Sequence, residues 1–312
     1  MTWLIVLIVV VLVVLVLELK TTRPDGTLCR VHPYRRALGF IMPGRNESVV
    51  YFDSFVVADD LLEYIDEINE RFEARLTHCI VAAVAVGMHE VPQMNRFIAG
   101  YREYQRTGRW LSFSVKKKKL DKKARLSALK LQMLDDESFA GLCERINDHV
   151  NVERSGKRTS QDKEMDLLNK VPRPLFAFAF KAVRWLDYFN LVPGWFIDGD
   201  GMHTSCFIAN LGSVGMKAGY HHLYEWGTSP LFLMVGKIEE RPWVVDGEVV
   251  VRKILHLRWS YDERIDDGMT AGSGINAVLD VLNDPRQRLA CLAEDGSDDI
   301  PLIETRDRAA QG

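Results

Sequence analysis

The sequence predicts a mixed α/β domain that follows a single apolar helix at the amino terminus. Residues 3–17 form an uninterrupted apolar run. Residues 48–117 carry strand-like and helix-like hydrophobic patterns in the order strand, two helices and hairpin. Residues 249–259 have the pattern of a buried strand, and a charged turn separates them from a helical pattern at 269–282. Interleaved strands and helices are typical of a sheet covered by helices, and the patterns alone support this mixed class and nothing narrower.

The composition is that of a globular domain with one large hydrophobic core or two small ones. The chain has 312 residues, 47% of them hydrophobic, and a formal net charge of −3. A charge this small gives no reason to expect nucleic acid as a partner. The five cysteines stand singly, as Cys29, Cys79, Cys143, Cys206 and Cys291. This pattern indicates reduced thiols in a cytosolic domain and predicts no metal site.

The apolar run at the amino terminus predicts a transmembrane anchor over residues 1–20. A spanning helix needs about 20 apolar residues, and residues 3–19 approach that length. A cleaved signal peptide starts with basic residues and ends at small ones, and this sequence has neither. Basic residues begin at Lys20, after the span, so the positive-inside rule places residues 20–312 in the cytoplasm. We therefore expect a single-pass protein of the cytoplasmic membrane, with its soluble domain facing the cytoplasm.

The first part of the domain is expected to follow a linker. Residues 21–48 are rich in turn signals, among them Arg-Pro-Asp-Gly and Met-Pro-Gly, and predict a linker that wraps onto the domain. The domain is expected at residues 49–290 and begins with a strand pattern at 48–57. Apolar residues at helical spacing then predict a helix at 59–74 and a more buried helix at 78–89.

A hairpin and three helices are expected in the middle of the domain. Strand patterns at 97–105 and 110–117 are joined by Arg-Thr-Gly, and helical patterns follow at 135–152 and 160–170. A third helix, over 171–189, has more aromatic residues than one buried stripe requires. We interpret it as a core or oligomer helix, with an acyl-chain pocket and a face lying on the membrane as alternatives.

The last elements of the domain flank a dense run of charge. The strand at 249–259 leads into this run, and the helix at 269–282 ends at Asn-Asp-Pro, which is a helix stop. Charges between two buried elements are costly unless they are paired, and Arg264 has three aspartates close by as candidate partners. The run is therefore a salt-bridged turn or a functional site. Residues 291–312 are acidic and then mixed, and predict a disordered tail.

Three motifs of the chain resemble those of one family of acyltransferases. Residues 262–268, Asp-Glu-Arg-Ile-Asp-Asp-Gly, resemble the signature DHRxxDG of the acyltransferase component of 2-oxoacid dehydrogenase complexes. Residues 206–212 resemble the FTISNLG strand of that family, and residues 235–250 resemble its VGxIExRPVVxDGxIV hairpin. The resemblance implies a chloramphenicol-acetyltransferase-like fold, which is a mixed sheet flanked by helices.

The same resemblance implies a reaction, although two positions depart from the family's pattern. It implies acyl transfer from a coenzyme A thioester, in a homotrimer whose active sites lie between subunits. The family's signature histidine deprotonates the thiol and is replaced here by Glu263, while Ala209 replaces the oxyanion-binding serine. Arg264 and Asp267 match the family. Because a thiol has a pKa of about 8.5 and a glutamate about 4.3, an ordinary glutamate is roughly four units too weak as the base.

A relocated base and a relocated oxyanion donor are expected if the reaction is kept. His221 and His222 lie in the loop after the matched strand, and the pKa of histidine suits a general base at neutral pH. Glu263 is the alternative base, and hydrogen-bonded loop histidines are the alternative role for the pair. Oxyanion donors are expected from a set of nearby polar side chains: Asn210, Thr228 and Ser229. Metal binding needs a third ligand that this loop lacks.

Two classes of function stay open at this point. The first is a membrane-anchored acyltransferase with a divergent mechanism. The second is a catalytically inactive trimeric scaffold or acyl-CoA-binding module that keeps the fold. No lipoyl domain is recognisable, so no lipoyl group is expected. Lys117 and Lys118 belong to a basic run that is a solvated strand end, a contact with anionic lipid, or a contact with the coenzyme A phosphates.

Overall fold

A computed structural model describes residues 2–116, 126–154, 171–289, 298 and 300–304. The helices in these ranges are α1 (Thr2–Leu19), α2 (Pro33–Ile41), α3 (Asp59–Ile68), α4 (Leu76–Glu90), α5 (Phe139–Arg154), α6 (Arg173–Tyr188), α7 (Gly194–Gly199), α8 (Gly268–Asn283) and α9 (Pro285–Arg288). The strands are β1 (Gly26–Leu28), β2 (Val49–Val57), β3 (Arg96–Ala99), β4 (Arg102–Arg106), β5 (Arg109–Lys116), β6 (Leu126–Met133), β7 (Cys206–Asn210), β8 (Leu231–Val235), β9 (Glu239–Val245) and β10 (Glu248–Asp262). The predicted mixed α/β class is confirmed.

The large sheet is mixed and has the strand order β2-β10-β8-β7-β5-β6, with β9 paired to the first half of β10. β10 runs antiparallel to β2 and to β8, whereas β7 is parallel to both β5 and β8. A small second sheet has the order β1-β4-β3. The charged run lies where the long strand β10 ends and leaves the large sheet, next to the start of α8.

The main core lies on one face of the large sheet, under α3, α4, α5 and α8. Alternate residues of β10 point into it, and Trp259 and Tyr261 are almost fully buried there. α4 is buried nearly all round because its residues are apolar or small on every side. The other face carries a smaller cluster around Phe207 and Phe232, which the loop after β7 covers. That loop includes the two predicted histidines.

Close packing of α8 on the core gives a test with two glycines of the same helix. A Cβ atom at Gly274 would overlap the Sδ of the buried Met94, whereas a Cβ at Gly272 would meet no atom within 4 Å. We expect Gly274→Ala to destabilise the fold by about 1–3 kcal/mol through overpacking. Gly272→Ala is expected to stabilise it by up to about 1 kcal/mol, because alanine is the better helix former. Urea unfolding followed by tryptophan fluorescence checks this, and equal effects at the two positions would contradict the packing of α8 described above.

Several segments differ from the sequence prediction for local reasons. The expected strand 97–105 is two strands, because Gly100 and Tyr101 adopt positive φ and turn the chain between β3 and β4. The helix expected at 59–74 ends at Ile68. The side-chain amide of the next residue, Asn69, donates hydrogen bonds to the carbonyl oxygens of Ile65 and Ala74.

The ends of the predicted domain contain structure that the turn signals and charge did not indicate. The predicted linker 21–48 includes β1 and α2. In the predicted tail 291–312, Leu302 is buried in the main core, and its amide bonds to the carbonyl of Glu137, so disorder is wrong for that part of the tail. Residues 291–297, 299 and 305–312 of the tail and the helix expected at 160–170 lie outside the described residues.

Two helices of unusual composition, the apolar α1 and the aromatic α6, have no buried residue. α1 is one helix that is long and apolar enough to cross a membrane, and none of its residues is buried in the domain. α6, the aromatic helix, also has no buried residue, so it is not a core helix of this chain. Its exposed side chains include Phe178 and Trp185.

His78 at the start of α4 makes the fold sensitive to acid. It is buried, and its Nδ1 accepts a hydrogen bond from the backbone N–H of Arg75. Burial lowers its pKa from 6.5 to about 4, so between these values the unfolded chain binds a proton that the folded chain excludes. Stability is therefore expected to fall by up to about 3 kcal/mol as pH falls through that window. Urea titrations at several pH values should show His78→Gln losing this dependence, whereas the exposed His149→Gln keeps it.

Candidate functional site

The charged run at the end of β10 is built around a buried ion pair. Arg264 Nε and Nη2 donate to the two carboxylate oxygens of Asp262, at 2.8 and 2.7 Å. The Ser48 hydroxyl donates to the same carboxylate at 2.9 Å. Arg264 Nη1 also donates to the carbonyl oxygens of Met42 and Pro43. Arg264 is thus fully used in tying β10 to the segment before β2, and its guanidinium is a structural group.

The two aspartates that follow also have structural contacts. Asp267 caps α8, because its carboxylate accepts the backbone N–H of Thr270 at 3.0 Å. That hydrogen bond is the largest cause that holds the pKa of Asp267 below its ordinary value. Asp266 forms ion pairs with Arg35 and Arg96, at 3.4 and 3.3 Å. The salt-bridged turn expected from the sequence is therefore present, with Asp262 as the bidentate partner of Arg264.

Glu263, at the position of the family's histidine, differs from its neighbours in having no partner for its carboxylate. It is half-buried, and its backbone N–H donates to the carbonyl oxygen of Ser48. Within the described ranges the carboxylate has no hydrogen bond or ion pair. No other group in the described part of the chain therefore neutralises this side chain or holds it in place.

The predicted histidine pair forms a stacked aromatic cluster on the second face of the sheet. The His221 ring lies 3.9 Å from the Phe232 ring and 5.0 Å from the His222 ring, in nearly parallel planes. His221 Nδ1 is 2.6 Å from the carbonyl oxygen of His222, and His222 Nδ1 is 2.9 Å from that of Leu223. A carbonyl oxygen can only accept a hydrogen bond, so each Nδ1 is the donor and carries a hydrogen. When the ring is neutral, Nε2 then carries no hydrogen and is an acceptor.

A hydrogen bond attaches the histidine cluster to strand β10, and burial changes the pKa of one of its rings, His221. The hydroxyl of Ser260 on β10 donates to the backbone carbonyl of His221. Burial is the main cause that lowers the pKa of His221 below its ordinary value. The ring is therefore in its neutral, basic form at pH 7, which is the form that a general base requires.

Two of the three expected oxyanion donors are buried and make hydrogen bonds within the protein. Thr228 is fully buried, and its Oγ1 accepts Arg106 Nη2 at 2.9 Å. Ser229 is also buried and donates its hydroxyl to the carbonyl of Leu231. Asn210 is half-buried at the end of β7 and uses one amide hydrogen on Thr77 Oγ1, at 2.9 Å. Of the three, Asn210 is the one that is not fully buried, and its amide has a second hydrogen to donate.

The remaining expectations concern cofactors. Lys117 and Lys118 lie outside the described residues. Among the residues that the structure does describe, no group of three or more histidine, cysteine, aspartate or glutamate side chains is arranged to hold a metal ion.

The structure also brings together a histidine and an aspartate that the sequence did not single out. His203 is buried, and its Nδ1 lies 3.1 Å from Asp200 Oδ2, which also accepts Trp226 Nε1 at 2.6 Å. Burial opposes ionisation of Asp200, but these hydrogen bonds hold its pKa below its ordinary value. His203 and Trp226 line a cavity of about 180 Å³ with Arg45. The three-residue spacing between Asp200 and His203 is the signal in the sequence that could have pointed to this pair.

One known protein family matches the part of the chain that contains both the charged turn and the histidine cluster. Residues 199–290 match the family of 2-oxoacid dehydrogenases acyltransferase (catalytic domain), which confirms the resemblance inferred from the three motifs. The acetyltransferase component of the Bacillus subtilis pyruvate dehydrogenase complex is 36% identical over 89 residues, which is 27% of this chain and 18% of that protein. A lipoamide acyltransferase component from Pseudomonas putida is 47% identical over 58 residues, 19% of this chain and 13% of the relative. The chain thus matches less than a fifth of the length of these relatives.

Solved structures extend the likeness to most of the fold. A probable dihydrolipoamide acetyltransferase from Listeria monocytogenes has a TM-score of 0.55 at 18% identity and covers 82% of this chain and 94% of its own. The Azotobacter vinelandii dihydrolipoamide acetyltransferase has a TM-score of 0.54 at 17% identity, with 83% and 93% covered. At these identities the likeness establishes the fold, and the site must be argued from its own residues.

Proposed function

We propose that this chain is a membrane-anchored acyltransferase that transfers an acyl group from a coenzyme A-type thioester by a divergent mechanism. One observation carries the proposal: the segment that matches the acyltransferase family, 199–290, contains both the charged turn and the histidine cluster. Acyl transfer is what that family supports as a reaction class. The thioester donor, the anchor and the altered mechanism are our inference from the residues.

The histidine pair is the base in this mechanism. The attacking group must lose a proton as it adds to the thioester carbonyl, and the thiol that leaves must regain one. His221 and His222 each keep Nε2 as an acceptor, and burial keeps His221 neutral at pH 7. Among the described residues Glu263 has no partner that would orient its carboxylate, and an ordinary carboxylate is a weaker base than an imidazole.

The oxyanion that forms during acyl transfer needs a hydrogen-bond donor. Asn210 fills this role in the proposal, because Thr228 and Ser229 are already bonded inside the core. Asn210 lies at the end of β7, one residue after Ala209, which replaces the family's serine. In this proposal the oxyanion accepts its hydrogen bond from the side-chain amide of Asn210 instead of from a serine hydroxyl.

The anchor of the proposal is α1, with the domain on the cytoplasmic side. Its 18 residues have a mean hydropathy of 3.1, and none of them is buried. The first basic residue after it, Lys20, supports the cytoplasmic orientation. An acyltransferase held at a membrane is suited to acceptors or products that are themselves lipids.

A homotrimer is part of the same proposal, because apolar side chains stay exposed on the sheet. On the β9–β10 hairpin, Val249 and Val251 are 73% and 69% exposed, and Tyr51 and Phe55 of β2 are also exposed. Exposed apolar patches mark interaction surfaces. Light scattering of the full chain in detergent is expected to give a mass of three chains that does not change on dilution. A monomer at all concentrations would contradict this assembly.

A catalytically inactive scaffold or acyl-CoA-binding module is the second candidate. A specific observation favours it: the family's histidine and oxyanion serine are both replaced, at Glu263 and Ala209. This candidate predicts that acyl-CoA binds without turnover.

The experiment that separates the two candidates measures release of free thiol. The full chain in detergent is incubated with acyl-CoAs from acetyl to palmitoyl, together with a membrane lipid extract as the acceptor pool. Thiol release that depends on both donor and acceptor supports the acyltransferase, with the new acyl ester or amide found by mass spectrometry. Acyl-CoA binding without thiol release supports the module, and neither binding nor release would overturn the thioester assignment.

A further inference from the structure

A second cavity, of about 450 Å³, lies where α1 joins the domain. Glu18, in the last turn of α1, and Thr21, just after this helix, line it. The lining also includes Arg30, Arg35 and Arg36, from α2 and the segment before it, and Arg102 of β4. This volume is in the range that holds small ligands, and the lining combines several guanidinium groups with apolar side chains.

Two of these guanidinium groups have nitrogen atoms without a hydrogen-bond partner. Arg35 Nε and Arg102 Nη1 are buried and unpaired, although other nitrogens of both side chains are bonded. Arg102 Nη2 donates to Glu18, and Arg35 Nη2 donates to the backbone carbonyl of Arg264. Buried donors of this kind are nearly always satisfied in folded proteins, since an unmet charged donor is costly. The described part of the protein therefore leaves these two N–H groups without an acceptor, while other atoms of Arg35 and Arg102 line the cavity.

The cavity also has positive charge that the protein does not neutralise. Arg30 and Arg36 are exposed at its edge, and neither has an ion pair within the part of the chain that the structure describes. Arg102 is neutralised by Glu18 at 2.8 Å. An anion that enters the cavity thus meets two arginines without an ion pair among the described residues, and a lining carboxylate, Glu103, that is paired with Arg96. Planar guanidinium groups match the oxygens of phosphate particularly well.

The surroundings of the cavity combine this charge with an apolar rim. Tyr34, Phe40 and Ile41 of α2 are exposed, and Phe40 stacks on Tyr101 at 4.9 Å between ring centroids. Basic clusters directly after a spanning helix attract acidic phospholipids. Aromatic and aliphatic side chains beside such a cluster contact the upper part of the acyl chains.

From these observations we infer that the cavity binds a phosphate-bearing anion, and that the ligand is the headgroup of an acidic phospholipid beside α1. The phosphate lies against Arg35 and Arg102, and Arg30 and Arg36 supply further charge. This inference rests on the proposed anchoring of α1 in a membrane. It concerns a site other than the histidine cluster and requires no acyl transfer.

Native mass spectrometry of the full chain in detergent tests the inference. Phosphatidylglycerol, phosphatidylcholine and inorganic pyrophosphate are titrated separately. We expect phosphatidylglycerol to bind more tightly than phosphatidylcholine, and the variant Arg30→Gln/Arg36→Gln to weaken phosphatidylglycerol about 30-fold, at about fivefold for each arginine near the surface. Arg71→Gln is the matched control, because Arg71 is exposed and follows α3, away from the cavity.

The outcomes separate the site from its ligand and from the proposed function. If the double variant binds phosphatidylglycerol as Arg71→Gln does, the site is overturned. If pyrophosphate binds as tightly and displaces the lipid, the phosphate site stands and the lipid source is overturned. Because binding is read without thiol release, a chain that is inactive toward acyl-CoA still gives the expected lipid binding. A chain that stays active but shows no lipid selectivity contradicts this inference alone.

Discussion

Replacing His221 and His222 together with alanine is expected to lower the rate of thioester acyl transfer by about 10²–10⁴-fold, the usual contribution of a general base. The reason is that both rings present Nε2 as an acceptor, each Nδ1 being bonded to a backbone carbonyl. Because burial lowers the pKa of His221, activity should persist below pH 6.5 and decline only under more acid conditions. The measurement is kcat/KM for thiol release as a function of pH, in the wild type and the variant.

The matched control for this prediction is Glu263→Gln. Its carboxylate has no ion pair in the described part of the chain, so we expect less than a tenfold change in kcat/KM. The Ser260 hydroxyl bonds the backbone carbonyl of His221, so the loop keeps that attachment when the side chains are removed. Unfolding temperatures close to that of the wild type should confirm this. If Glu263→Gln abolishes turnover and the histidine variant keeps it, the base is Glu263 and our assignment is wrong.

The fold could be predicted from the sequence as far as its local patterns reach. The small and apolar residues of α4 predict a buried helix, and the β-branched run of β10 predicts a buried strand. The turn between β3 and β4 was missed, since it depends on positive φ at Gly100 and Tyr101. The parallel pairing of β7 with β5 and β8 links segments far apart in the chain, which no local pattern specifies.

Contacts of the site between residues close in sequence could be predicted, whereas contacts between distant segments of the chain could not. Arg264 and Asp262 are two residues apart, so their ion pair was anticipated. Thr228 was proposed as an oxyanion donor because nothing in the sequence tells that Arg106, 122 residues away, occupies it. The pair of Asp200 and His203 is local in the chain but was not singled out from the sequence, because a carboxylate and an imidazole at that spacing usually have no special role.

Arg264→Gln is expected to destabilise the folded domain by about 3–5 kcal/mol, the usual consequence of removing one partner from a buried ion pair. Asp262 would stay buried and charged, with the Ser48 hydroxyl as its remaining side-chain donor. The carbonyl oxygens of Met42 and Pro43 would lose their donor as well. Urea unfolding of the full chain in detergent, followed by tryptophan fluorescence, measures the change.

The matched control is Arg286→Gln, which removes the same group from an exposed ion pair with Glu67. An exposed pair contributes about 0–1 kcal/mol, so this variant should unfold almost as the wild type does. Adding Asp262→Asn to Arg264→Gln should restore part of the lost stability, because it removes the unpaired buried charge. If Arg264→Gln is as stable as Arg286→Gln and loses only acyl transfer, the arginine of the signature acts in the reaction and the structural role assigned to it here is wrong.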